Sequence, residues 1–153
     1  MTGYNFSERV RRVLAVSREE AVQLHHASVD TEHILLGIVA ERDGVAIAVL
    51  QNLGIKVDAV RRQVFALIRV GSPDRATGPD LPHTSRARKV LELAISEAQK
   101  FGHGYVGTEH LLLGLICEET GIGTQILAQA GLTLDAARVE TLRILAETPT
   151  TDP

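Results

Sequence analysis

Val29-Asp30-Thr31-Glu32-His33-Ile34-Leu35-Leu36-Gly37 returns later in the chain as Val106-Gly107-Thr108-Glu109-His110-Leu111-Leu112-Leu113-Gly114. From position 32 to position 109 is a step of 77 residues. The same ungapped step carries Arg9 onto Arg86, Val13-Leu14 onto Val90-Leu91, Glu20-Ala21 onto Glu97-Ala98, Gly44 onto Gly121, Gly54 onto Gly131 and Asp58-Ala59 onto Asp135-Ala136. A tandem duplication is the simplest origin of such a match. Equal spacing implies equal backbones, so a site built by one copy is expected in the other, related by a pseudo-twofold.

The periodicity is helical in both copies. After Ser7, an N-cap residue type, Val10, Val13, Leu14, Ala21 and Leu24 recur at helical spacing, with Glu8, Arg11, Arg12, Arg18 and Glu19 on the other face. The counterpart starts at Thr84, carries Ala87, Val90, Leu91, Ala94 and Ala98 inward, and stops near Gly102 and Gly104. Thr31 and Thr108 open short helices that are apolar nearly all round and therefore central. A third helix in each copy lies between the glycine pairs 44/54 and 121/131. The fourth turns Val57, Val60, Val64 and Ile68 inward in the first copy, and Leu134, Ala137, Leu142 and Leu145 in the second. The expectation is an all-α, pseudo-twofold pair of four-helix motifs, eight helices in one domain. Repeat one spans about 6–70, a Gly/Pro/Ser-containing connector about 71–82, repeat two about 83–147, and a tail 148–153.

Composition narrows the function classes. A chain of 153 residues with 44% apolar and only 3% aromatic residues suits one aliphatic helical core. A net charge of −3 disfavours nucleic acid as the main partner, since phosphate binding needs clustered positive charge. No apolar run approaches a membrane span, the N-terminus lacks a signal-peptide pattern, and Cys117 is the single cysteine. A cytoplasmic protein without disulfides, with no membrane and no nucleic acid among its partners, is the expectation.

Three motifs invite chemistry. Gly102-His103-Gly104-Tyr105-Val106-Gly107 fits G-x-G-x-x-G, but the dinucleotide fingerprint follows a strand and this run follows a helix, so helix-end glycines account for it better. His25, His26 and His33, echoed by His103 and His110, lack H-E-x-x-H spacing and cysteine ligands, which favours core or capping histidines over metal. Cys117 is seven residues after His110, yet its counterpart is Ala40, so the thiol is not part of what was duplicated. A small metal- or thiol-dependent hydrolase is the remote alternative. The paired Thr-Glu-His segments remain. Their bland account is that Thr31 and Thr108 cap while Glu32 and Glu109 complement the helix dipole.

The set Phe6-Ser7-x-Arg9-x-Arg11-Arg12-Val13-Leu14, Thr31 to Gly37, Gly44-Val45-Ala46 and Leu53-Gly54-Ile55, repeated through Arg86 to Leu93 and Gly107 to His110, resembles the double Clp-N domain of Clp-type AAA+ unfoldases, nearest the ClpC-type branch. The likeness spans roughly residues 5–147. It implies an all-α pair of four-helix repeats that sits on an ATPase ring, receives protein substrates and adaptor proteins, and feeds them toward a partner peptidase.

The resemblance further implies two phosphoarginine pockets, one per repeat, with Glu32 and Glu109 for the guanidinium and Ser7 and Thr84 beside the phosphate. It also implies a partner surface on the first helices, with Arg11, Arg12, Arg88, Lys89 and Glu92. The chain departs from the family at Ser85, often proline, at Asp30, often glycine, and at His83, often phenylalanine. No G-x-x-x-x-G-K-[ST] is present, so no ATPase chemistry, catalytic residue, metal or cofactor is expected. The expected role is a non-catalytic protein-binding module, either the N-terminal piece of an unfoldase or a free-standing Clp-N protein acting as adaptor, competitor or decoy.

Overall fold

A computed structural model describes residues 5–73 and 80–147. The connector's residues 74–79 and the tail 148–153 lie outside the described residues. Eight helices are described: α1 (Glu8–Gln23), α2 (Thr31–Ala40), α3 (Val45–Asn52), α4 (Val57–Leu67), α5 (Ser85–Lys100), α6 (Thr108–Glu118), α7 (Ile122–Gln129) and α8 (Leu134–Glu147). Two-residue strands β1 (Asn5–Phe6) and β2 (Tyr105–Val106) pair in parallel, Phe6 opposite Val106. The isolated bridge between Val29 and His83 is the same pairing displaced by the repeat step.

The central helices are α2 and α6, as their all-round apolarity predicts. Every residue from Thr31 to Val39 and from Thr108 to Leu115 is buried. The first helix of each repeat packs on its own central helix at a glycine. A Cβ at Gly37 would collide with the Val13 carbonyl, and one at Gly114 would stand 2.5 Å from the Val90 carbonyl. Those two carbonyls are themselves one repeat step apart, so the close crossing of α1 on α2 and of α5 on α6 was duplicated with the sequence.

Two expectations need correction. Thr31 and Thr108 are not the caps of α2 and α6; Asp30 and Gly107 are. The threonines occupy the first turn and reach into the opposite repeat, where Thr31 Oγ1 accepts from Gly123 N and Thr108 Oγ1 from Ala46 N, both at 3.1 Å. The reason is the orphan amides of a helix start: α3 and α7 are capped by Gly44 and Gly121, which carry no side-chain acceptor. Each repeat thus supplies the missing cap of the other.

The inward face of α8 also differs from expectation. Leu142 is 49% exposed, while Ala137 and Thr141 are buried. Ala137 and Thr141 stand one repeat step from Val60 and Val64, which are buried in α4. The face therefore follows the ancestral register rather than local apolarity. Burial of Thr141 is tolerated because its hydroxyl donates to the Ala137 carbonyl at 2.7 Å.

Candidate functional site

Ser7 and Thr84 cap α1 and α5, accepting from Val10 N and Ala87 N at 3.1 Å each. The parallel pairings decide what lies next to them. Ser7 N donates to the Val106 carbonyl at 3.0 Å, and Thr84 N to the Val29 carbonyl at 2.9 Å. Ser7 therefore lies beside the segment that leads into Glu109, and Thr84 beside the segment that leads into Glu32. This corrects the expectation of one pocket per repeat: each candidate pocket takes its helix start from one repeat and its carboxylate from the other.

The first of these crossed sites is a cleft of ≈ 460 Å³ whose walls include Phe6, Ser7, Glu8, Arg11, Gly104 and Tyr105. Tyr105 joins it to the carboxylate, its hydroxyl donating to Glu109 Oε2 at 3.2 Å. Glu109 is 1% exposed. Burial holds its carboxyl above the usual range, against the pull of the Tyr105 hydrogen bond and the Arg9 charge. Tyr105 was not singled out by the sequence reading, although it sits inside the glycine motif that was set aside. That motif is built as helix punctuation, with Gly102 at φ +73 just past α5.

At the second carboxylate a cleft of ≈ 270 Å³ has Ala27, Ser28, Asp30, Glu32, His33 and Gly71 on its walls, and Asp30 links it to Thr84 of the other repeat. Glu32 is held above the usual carboxylate range by burial, with Asp30 adding to the effect. Asp30 Oδ1 accepts from Thr31 N at 2.8 Å and from the Thr84 hydroxyl at 2.9 Å. A third cleft, ≈ 440 Å³ between α4 and α7, is lined by Lys56, Gln63 and Gln129 among others.

The histidines act as caps and relays. Asp30 N donates to His33 Nδ1 at 2.8 Å, and Gly107 N to His110 Nδ1 at 2.9 Å. Each capped ring therefore carries its proton on Nε2, which faces a second imidazole: His26 Nδ1 at 2.7 Å from His33 and His103 Nδ1 at 2.8 Å from His110. His26 Nε2 in turn donates to the Arg69 carbonyl at 2.6 Å. Burial pushes His33 down to about 4 and His110 down to about 3, each aided by its neighbouring imidazole. Among the described residues no group of three or more His, Cys, Asp or Glu side chains is arranged to hold a metal. Cys117 donates to Glu97 Oε2 at 3.8 Å, and burial with the Glu97 charge pushes the thiol up, away from nucleophilic chemistry.

Of the expected partner-surface residues, Arg11 and Arg88 are exposed and equivalent. Arg11 Nε donates to the Phe6 carbonyl at 3.2 Å and Arg88 to the His83 carbonyl at 2.8 Å. Arg11 thereby stands on the wall of the Ser7 cleft rather than on a separate face. Arg12 is committed to a two-pronged ion pair with Glu41, 3.2 and 2.9 Å. Lys89 and Glu92 are exposed.

The family described as Clp repeat (R) N-terminal domain matches residues 5–116 and 82–153. The chain is 47% identical over 140 residues to the chaperone protein ClpB of Oceanobacillus iheyensis, covering 92% of this chain and 17% of that protein. It is 44% identical over 145 residues to the negative regulator of genetic competence ClpC/MecB of Bacillus subtilis, covering 95% and 18% respectively. The chain thus spans less than one fifth of these relatives' length. Among solved structures, a ClpV N-domain in complex with a VipB peptide superposes with a TM-score of 0.76 at 15% identity, over 96% of this chain and 91% of the other. Among the described residues no single helix is long and apolar enough to cross a membrane.

Proposed function

Because the chain belongs to the Clp repeat N-terminal domain family, we propose that it is a non-catalytic binding module that receives protein substrates, adaptors and arginine-phosphorylated proteins for a Clp unfoldase and its peptidase. The observation that carries this reading is the crossed site at Ser7: a helix start and the Arg11 guanidinium line one cleft, and Tyr105 on its wall donates to the buried Glu109 carboxylate behind it. Phosphoarginine has a matching polarity. Its phosphate calls for the amides and dipole at the start of α1, helped by the Ser7 hydroxyl and Arg11. Its guanidinium N–H groups call for a carboxylate, which Glu109 supplies beside Tyr105. Glu32 and Thr84 are the corresponding pair in the other site. The likeness to a ClpV N-domain solved with a VipB peptide supports a role in binding peptide segments.

Calorimetric titration with free phosphoarginine tests the reading. Removing a charged acceptor forfeits about 1.5–3 kcal/mol, so Glu109→Gln should weaken binding by roughly one to two decades. Arginine alone and inorganic phosphate alone should bind far more weakly than phosphoarginine. Wild-type heats from a Glu32→Gln, Glu109→Gln double variant would overturn the assignment.

The adaptor surface is proposed on the exposed starts of α1 and α5, where Arg11, Arg12, Arg88, Lys89 and Glu92 give a mixed-charge face. Arg11→Glu with Arg88→Glu should cut capture of a ClpC-type adaptor while leaving the thermal melt unchanged, because neither guanidinium is buried. Undiminished capture would place the interface elsewhere.

A further inference from the structure

We propose that Asp30 is a built-in occupant of the Thr84 site, so that the two crossed sites of this chain are not equivalent and only the one at Ser7 and Glu109 accepts phosphoarginine. The inference rests on the reading above and concerns which of the two sites is open to the ligand.

The two sites descend from one by duplication, so their differences are few and can be read one by one. At the Ser7 site the residue before Thr108 is Gly107. It has no side chain, and a Cβ there would collide with the Glu109 carboxylate, so the carboxylate fills space that a larger residue would take. The Ser7 hydroxyl accepts from Val10 N and, among the described residues, donates to nothing. Its proton is left for a ligand.

At the Thr84 site the residue before Thr31 is Asp30. Its carboxylate takes the proton that Ser7 leaves free, since Thr84 Oγ1 donates to Asp30 Oδ1 at 2.9 Å. The same oxygen accepts from Thr31 N, in the first turn of α2, at 2.8 Å, which fixes the carboxylate where the Thr84 hydroxyl meets it. A carboxylate therefore already engages the hydroxyl that would turn to the phosphate. A second carboxylate, Glu32, shares a cleft with Asp30. A phosphate entering would meet both charges and would have to displace a hydrogen-bonded internal ligand. The Ser7 cleft also has an acid on its wall, Glu8, but that side chain is exposed and, among the described residues, makes no hydrogen bond to Ser7 or to the α1 amides.

Replacing Asp30 should open the closed site. Glycine at this position copies the arrangement the chain already uses at Gly107, and serine retains an uncharged N-cap oxygen, so both Asp30→Gly and Asp30→Ser should start α2 normally. Titration of the full chain with free phosphoarginine is expected to give one site per chain in the wild type and two in each variant. Glu109→Gln should weaken the wild-type site by the one to two decades given above, and in the Asp30→Gly background it should leave one site at full affinity, dependent on Glu32 and Thr84. Two sites in the wild type, one site in both folded Asp30 variants, or a wild-type site weakened by Glu32→Gln instead of Glu109→Gln would each overturn the inference while leaving the phosphoarginine reading intact. Absence of binding in the wild type and in both Asp30 variants would overturn the two together.

Discussion

Acidification from pH 7 to pH 5 should lower the unfolding free energy by about 2 kcal/mol at each of His33 and His110. Unfolded histidine titrates near 6.5, whereas the folded rings are held down to about 4 and about 3. Between these values the unfolded chain binds more protons than the folded one, so stability is complete above the unfolded pKa and falls as the pH drops toward the folded values. The cause is geometric: each ring is buried and accepts a backbone N–H through Nδ1, and a second imidazole faces its Nε2. A proton added to Nδ1 costs the cap, and a charged pair of rings repels. Glu32 and Glu109, held above the usual range, oppose the effect because their protonation favours the folded form. Chemical denaturation at several pH values checks the balance. His33→Gln and His110→Gln keep an acceptor at the third helical position without titrating, and should flatten the acid slope. A slope unchanged in both variants would mean that the two relays do not carry it.

Leu36→Ala and Leu113→Ala should each cost about 2–5 kcal/mol, the range for a large-to-small change in a closed core. Both side chains are fully buried at equivalent positions of α2 and α6, and each of the other six helices packs against one or both of these. Because the repeats also exchange caps through Thr31 and Thr108, loss in either central helix should lower a single cooperative transition rather than split it in two. Thermal melts showing separate transitions for the two repeats would contradict this interlock.

Much of the architecture was legible because one physical constraint was written twice. Gly37 and Gly114 share a step with Val13 and Val90, and a close helix crossing needs both members. Local apolarity failed where the register overruled it, at Leu142 and Thr141 of α8. The candidate site was legible only in part. Ser7, Thr84, Glu32 and Glu109 stood out as repeated residue types, but their crossed pairing depends on two short parallel contacts, at Phe6 with Val106 and at Val29 with His83. Two-residue strands carry no periodic signal. Tyr105 and the contact between Asp30 and Thr84 were hidden for the same reason, since they join segments brought together by those contacts and by nothing local.

The most direct measurement is the amide NMR spectrum of the isotope-labelled chain titrated with phosphoarginine. The account predicts shifts concentrated at the first-turn amides of α1, residues 7–10, and at Tyr105 to Glu109, with the α5 start at residues 84–87 joining only once Asp30 is replaced. A spectrum unmoved at saturating ligand, or shifts confined to the cleft between α4 and α7 at Lys56, Gln63 and Gln129, would contradict it.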